Sequence, residues 1–158
     1  MKALFLAAVL LAPASVSAQH ELATVPVLST KLVDVGAANR LLEKAEREGH
    51  AWVTDPILVA GAAMRAIPAS MEAQTVLVTR RDDRPQGPDT STVVILIDGL
   101  QDDSVRGERF EFELVARVPS DSLYQAGIRR TWRVVRANQS WRCARGRDVD
   151  AFYEWFCP

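Results

Sequence analysis

The stretch RGERFEFELVARV, from Arg106 to Val118, alternates apolar and charged side chains with a period of two. This period is typical of a half-buried β-strand, because successive side chains on a strand point to opposite faces of the sheet. Four other stretches of the second half of the chain also have strand character: 75–81, 92–98, 128–137 and 140–144. Together they predict an antiparallel meander of about five strands.

The register between the third and fourth predicted strands can be inferred from their apolar positions. Pairing Leu114 with Trp132 keeps apolar side chains on one face and sets Glu113 opposite Arg133 on the other. A two-residue turn at 138–139 is expected to join the fourth and fifth strands, and it would bring the cysteine of the fifth strand to the apolar side.

Helical signals fill the part of the chain that precedes these strands. The apolar residues of the first helix recur at spacings of three and four: Val35, Ala38, Leu41, Leu42 and Ala45. With Gly49 as a C-terminal signal, they predict a helix near 33–48. Asp55 as a cap followed by Pro56 predicts a second helix near 56–66. Helices packed on a later antiparallel sheet give an α+β roll, an arrangement similar to cystatin-like folds, including the nuclear-transport-factor-2-like group.

Residues 1–18 have the pattern of a cleavable signal peptide. Lys2 precedes the apolar run 3–12, and small side chains at 16–18 precede the expected cleavage site. The apolar run has about ten residues, whereas a membrane-spanning helix needs about twenty. An uncleaved N-terminal anchor is the alternative. We expect residues 19–158 to form a single globular domain, periplasmic or secreted, without a membrane span.

The charge of the chain is nearly balanced, with a formal net charge of −1 at pH 7. No overall field therefore favours nucleic acid, and we expect no nucleic-acid partner. The distribution is uneven, because seven arginines and no acidic residue lie between Ile128 and Arg147: Arg129, Arg130, Arg133, Arg136, Arg142, Arg145 and Arg147.

Part of this arginine-rich region forms a candidate ligand surface. Its members are Arg129, Arg133, Arg145, Arg147 and Trp155. Guanidinium groups beside aromatic rings can bind an anionic or carbohydrate ligand through stacking and charge-assisted hydrogen bonds. The structural alternative is that Arg133 pairs with an acidic residue of the sheet and that the neighbouring tryptophan belongs to the core.

Cys143 and Cys157 are the only cysteines of the chain. In an exported protein an even number favours a disulfide, which would close a loop of about fifteen residues and stabilise the fold by roughly 3 kcal/mol. A zinc site is the rival interpretation, but no Cys-x-x-Cys pair is present and His20 and His50 lie far away in the sequence. We therefore expect neither a metal nor another cofactor.

The loop after the second predicted strand is a candidate site of a different kind. Asp98, Asp102 and Asp103 could offer oxygen ligands to a cation such as calcium. Their spacing is not that of a known calcium loop, and the alternative is that the aspartates cap a turn. Ser104 with His50 could be drawn as a hydrolytic triad, but the local signature of a nucleophile elbow is missing, so no catalytic residue is assigned.

Three segments of the chain resemble an uncharacterised family of small exported bacterial proteins. They are Trp52-Val-Thr-Asp-Pro56, Asp98-Gly-Leu-Gln-Asp-Asp-Ser-Val-Arg-Gly-Glu-Arg-Phe110, and Trp141-Arg-Cys-Ala-Arg-Gly-Arg147 with Phe152 and Cys157-Pro158. The resemblance covers about 50–158 and implies export, the disulfide and a bacterial origin. Members of the family carry Gly-Arg-Gly-His after the first cysteine, whereas this chain has Gly146-Arg147-Asp148-Val149. No activity follows from the resemblance.

The function that these observations favour is a non-catalytic binding or structural module. The alternative is a small-ligand pocket or hydrolytic enzyme of nuclear-transport-factor-2-like type, built where the helices meet the concave face of the sheet, with the acidic loop near its mouth. A cystatin-like inhibitor would need an exposed apolar hairpin tip, for which the sequence offers no candidate. A pocket lined by a buried carboxylate or by His50 would favour the enzyme.

Overall fold

The structure is a computed structural model that describes residues 24–67, 75–85, 89–100, 103–119, 121–125, 127–128, 130–146, 149–155 and 157. The predicted signal peptide lies outside the described residues. Among those that are described, no helix combines the length and the apolar character needed to cross a bilayer.

Helices packed on a five-stranded antiparallel sheet confirm the α+β class. The elements are β1 (Lys31–Val33), α1 (Gly36–Arg47), a 3-10 helix (Ala51–Thr54), α2 (Pro56–Arg65), β2 (Thr75–Asp82), β3 (Thr90–Asp98), β4 (Val105–Arg117), the one-turn helix α3 (Asp121–Gln125) and β5 (Thr131–Cys143). The strand order is β1-β5-β4-β3-β2, so β2 to β5 form the predicted meander and β1 is added at its edge.

The two predicted strands at 128–137 and 140–144 are one strand, β5, and the predicted turn at 138–139 is wrong. Asn138 is paired with Leu32 of β1 on one side and with Glu111 of β4 on the other. A residue that is paired on both sides satisfies its backbone groups in the extended conformation and has no reason to turn. The prediction failed because β1 has only three residues and the sequence pattern does not indicate it; the last of them, Val33, falls at the start of the predicted first helix.

The predicted register of β4 and β5 is also wrong, by two residues at Leu114 and by three at Glu113, on the other side of a bulge. Leu114 pairs with Val134 and not with Trp132. The pairing is irregular at this point, and Val135 is the additional residue of a β-bulge. A shift of two residues keeps every side chain on its original face, so the apolar pattern could not distinguish the two registers.

The face of the sheet that packs against α1 and α2, here called the inner face, carries the main core. Its fully buried residues come from β3, β4 and β5 and meet the apolar sides of both helices: Val93, Ile95, Phe110, Phe112, Leu114, Val134, Ala38, Leu42, Val59 and Ala63. The predicted cap of α2 is confirmed, since the Asp55 carboxylate accepts a hydrogen bond from the Ile57 N–H at 2.7 Å. The predicted C-terminal glycine of α1 is confirmed as well, because Gly49 has a positive φ of 76°.

The side chain of Asn39 holds α1 against β5. Its Nδ2 donates to the Val134 carbonyl at 2.8 Å, and its Oδ1 accepts from the Val134 N–H at 3.2 Å. Because β1 pairs with β5 only at 137–139, the backbone of Val134 has no neighbouring strand on this side. The amide of Asn39 therefore takes the place of a strand where the edge of β5 would otherwise be open.

The segments around Val27 and Phe152, near the two ends of the described chain, lie on the opposite face of the sheet, here called the outer face. Val27 forms a parallel bridge with Phe152, and the Phe152 ring packs on Leu96 of β3. The Sγ atoms of Cys143 and Cys157 lie 2.08 Å apart, which confirms the predicted disulfide. The segments around Val27 and Phe152 cover one end of the outer face, and no other segment among the described residues covers its other end.

Candidate functional site

The open end of the outer face forms a groove of about 320 Å³, here called the outer groove. The residues that line it come from β2, β3 and β4: Thr79, Arg80, Arg81, Thr92, Val94, Arg109 and Glu111. This volume is at the lower end of the range of about 300–1,000 Å³ found for small-molecule sites. The groove therefore has the size of a site for a small ligand.

The strand register sets the layout of the outer groove. Val94 of β3 pairs with Thr79 of β2 on one side and with Glu111 of β4 on the other, so these three residues form a row across the sheet. In the next row, Arg81 pairs with Thr92. Paired residues project to the same face, which places the Arg81 cation on one side of Val94 and the Glu111 carboxylate on the other.

The charges in the groove differ in how they are engaged. The Arg109 guanidinium forms an ion pair with the Glu111 carboxylate. Arg80 pairs with Val93 of the inner-face core, so its side chain belongs to the other face of β2. Its Nε donates to Asp82 Oδ1 at 2.8 Å, and this hydrogen bond lowers the pKa of the Asp82 carboxyl below its ordinary value. Arg81, whose side chain is exposed, forms no ion pair with any residue that the structure describes. Arg81 is thus the cation that is available to a ligand.

The candidate ligand surface inferred from the sequence is divided in the structure. Arg129 and Arg147 lie outside the described residues. Arg145 is exposed just beyond the end of β5, and Trp155, which is 48% exposed, stacks on Tyr153 with a ring distance of 4.9 Å. Arg133 is near the opposite end of β5, on the order of 40 Å away along the strand. Arg133 and Arg145 therefore do not share one surface.

Arg133 is engaged with α1. Its guanidinium lies 3.5 Å from Glu43 and 3.4 Å from Glu46 and donates to the Asn39 carbonyl at 2.9 Å. Burial lowers the pKa of the Arg133 guanidinium, and the two glutamates raise it. The predicted pairing with Glu113 is wrong, since the bulge in β5 sets Arg136 opposite Glu113.

The candidate loop site is occupied by an internal ion pair. The carboxylate of Asp98 pairs with the guanidinium of Arg142, whose side chain is buried. Gly107 leaves the space for this pair, because a Cβ there would lie 3.0 Å from Asp98 Oδ1. Asp103 is exposed, and Asp102 lies outside the described residues. No group of three or more His, Cys, Asp or Glu side chains that could hold a metal ion is found in the part of the chain that the structure describes.

A buried carboxylate that the sequence analysis did not single out lies on the inner face. Glu108 is 2% exposed, and its Oε1 accepts a hydrogen bond from Gln139 Nε2 at 2.5 Å. Its strand partners are Ile97 and Trp141, which both belong to the core. The sequence pattern could have indicated this residue, because Glu108 lies two positions before Phe110 and thus on the same face of the strand, where an apolar residue is expected.

His50 lies at the exposed end of α1. Its Nε2 is 3.2 Å from a carboxylate oxygen of Glu48, and both side chains are about half exposed. His50 therefore contacts a carboxylate at the protein surface, and it lines no buried pocket among the described residues.

Comparisons with protein-family models, with curated proteins and with solved structures found no match to this chain. The resemblance to an exported bacterial family therefore stays a prediction, as does the likeness to cystatin-like folds. The function has to be inferred from the groove and from the buried carboxylate.

Proposed function

We propose that this protein is a non-catalytic extracytoplasmic binding module that holds a small anionic ligand in the outer groove. The observation that carries the proposal is the exposed Arg81 guanidinium, which forms no ion pair among the described residues and projects beside the Thr79 and Thr92 hydroxyls. A guanidinium and two hydroxyls supply several hydrogen-bond donors, and donors are what an oxyanion requires.

The construction of the groove favours binding over catalysis. Its floor consists of three hydrogen-bonded strands, so the lining side chains are held in place before a ligand arrives. Its single carboxylate, Glu111, is engaged by Arg109. A general base needs a carboxylate that can approach the proton it removes, and this one is directed to a cation.

The disulfide supports the extracytoplasmic location, because such bonds persist in oxidising compartments and are rare in the cytosol. The sequence pattern of residues 1–18 and the resemblance to exported bacterial proteins support the same location. A cystatin-like or nuclear-transport-factor-2-like relationship is part of this proposal, and it rests on the order of helices and strands alone.

The test is an NMR titration of the purified, oxidised protein with acetate, sulfate and D-glucuronate. We expect saturable shifts of the Thr79, Thr92 and Val94 amides with at least one of these anions. Arg81→Gln should weaken that binding by roughly tenfold, because it removes a charged hydrogen bond. Arg65→Gln, which changes an exposed arginine at the end of α2, is the matched control and should bind like the wild type. Absence of shifts in the groove with all three anions would overturn the proposal.

A second candidate function is acid–base catalysis on the inner face, and the buried Glu108 is the observation that favours it. A carboxylate that is removed from water and hydrogen-bonded to an amide is the kind of group that enzymes use as a general acid or base. The test compares wild type with Glu108→Gln on a panel of chromogenic esters and glycosides. Turnover by the wild type that is lost in the variant would establish the enzyme, and absence of turnover by the wild type would reject it for these substrates.

A further inference from the structure

The Arg109–Glu111 pair gives one side of the outer groove a particular hydrogen-bonding character. A guanidinium can only donate hydrogen bonds, and an ionised carboxylate can only accept them. A ligand group that meets both must donate and accept at once, which a hydroxyl does and an oxyanion does not. An oxyanion placed here would also be repelled by Glu111. This side of the groove therefore favours a hydroxyl-bearing part of a ligand.

The remaining lining residues impose two further requirements. Arg81, at the other side of the groove, supplies the positive charge that attracts an anionic group. Between the two sides lies Val94, a half-buried apolar side chain on which only C–H groups pack without losing hydrogen bonds. The ligand thus needs an anionic group, one or more hydroxyls and an apolar patch between them.

We infer that the outer groove binds a sugar acid of the uronate class, with its carboxylate at Arg81 and its ring hydroxyls at the Arg109–Glu111 pair. This inference rests on the proposed function and names its ligand. A uronate carries a carboxylate, several hydroxyls and a C–H face on one ring. The volume of about 320 Å³ suits a single sugar residue, and the groove is open on one side, so the ring can be free or the end of a polyuronide.

The test is isothermal titration calorimetry with D-glucuronate, D-glucose, acetate and sulfate as probes. We expect glucuronate to bind at least roughly tenfold more tightly than glucose or acetate, because each of those probes lacks one of its hydrogen-bonding groups. Glu111→Gln should weaken glucuronate binding by about fivefold and leave acetate binding unchanged or stronger, since it replaces a charged acceptor of hydroxyl hydrogen bonds by a weaker neutral one and removes a repulsive charge. A tri-galacturonate probe distinguishes a free sugar acid from the end of a polyuronide as the ligand, because only a site for the polymer should bind the trimer more tightly than the monomer.

The matched control is Glu113→Gln, which changes the next outer-face carboxylate of β4. Glu113 is the strand partner of Thr92, but its carboxylate is paired at 3.8 Å with Arg136 of β5, on the side of β4 away from the groove. It does not line the groove, so this variant should bind all probes like the wild type. Acetate or sulfate binding as tightly as glucuronate would overturn the uronate inference and leave the anion-binding function standing, and so would an unchanged probe preference in Glu111→Gln. If no probe binds at the groove, both proposals fail.

Discussion

Replacing Asn39 by alanine should destabilise the protein, because the side-chain amide of Asn39 is the partner of both backbone groups of Val134. The Asn39 bonds to Val134 measure 2.8 and 3.2 Å, and Val134 is 1% exposed. Loss of Asn39 leaves a buried N–H and a buried C=O without partners, and each unmade bond costs about 1–1.5 kcal/mol when the site is partly accessible. Alanine returns up to about 0.7 kcal/mol through its better helix propensity. The expected net loss is about 2 kcal/mol.

The assay is equilibrium urea unfolding of the oxidised protein, with thermal unfolding as a second measure. A loss of about 2 kcal/mol corresponds to a decrease of about 4–8 °C in Tm for a chain of this size. Arg40→Ala, at the exposed neighbouring position of α1, controls for changes in helix propensity and should stay within about 0.5 kcal/mol of the wild type. Asn39→Asp can accept from the Val134 N–H but sets a charged carboxylate oxygen against the Val134 carbonyl oxygen. This repulsion and the desolvation of the charge should cost at least as much stability as Asn39→Ala loses.

Amide hydrogen exchange makes the prediction specific to one site. The N–H of Val134 donates to Asn39, and its protection should fall in Asn39→Ala under native conditions. The N–H groups at 137–139, where β1 pairs with β5, should lose no more protection than the decrease in the global free energy of unfolding accounts for. An Asn39→Ala variant as stable as Arg40→Ala, or unchanged exchange at Val134, would refute the strand-replacing role of this side chain.

Two further predictions concern the disulfide and the carboxylate of Asp82 at the end of β2. Replacing both Cys143 and Cys157 by alanine should lower the free energy of unfolding by about 3 kcal/mol, since their sequence separation of 14 closes a loop of this cost; a change below about 1 kcal/mol in urea unfolding would contradict it. Asp82→Asn should have a lower free energy of unfolding than the wild type above pH 3.8, and this difference should vanish as the pH falls through the lowered pKa of Asp82. Urea unfolding measured from pH 6 to pH 2 tests this, and a difference that stayed constant over that range would contradict it.

Local signals in the sequence predicted much of the sheet and both α1 and α2. The alternation of apolar and polar residues predicts β2, β3 and β4 without information about their partner strands, because in each strand the apolar positions mark the buried face. The cap and proline at the start of α2 are equally local. The start of α1 was predicted three residues too early, since residues 31–33 form β1 and pair with a strand more than a hundred residues later.

The candidate site was hidden from the sequence for a related reason. The arginine-rich stretch predicts a ligand surface because its residues are close in sequence, but in the structure Arg133 forms ion pairs with Glu43 and Glu46 of α1. The outer groove instead combines Arg81 with Arg109 and Glu111, which belong to strands separated by β3. Glu108 is the one candidate that the sequence pattern could have indicated, because it is a charged residue at a position where the alternation of β4 calls for an apolar one.

The amino-acid sequence by itself determined the α+β class and the pairing of the two cysteines, since periodicity, caps and an even cysteine number are properties of short segments. Tertiary structure decided the register of β4 and β5, the addition of β1 at the edge and the position of Arg81 beside Val94 and Glu111. A strand shifted by two residues keeps its alternation, so the choice among registers depends on the bulge and on contacts with the helices, which only the folded chain brings together.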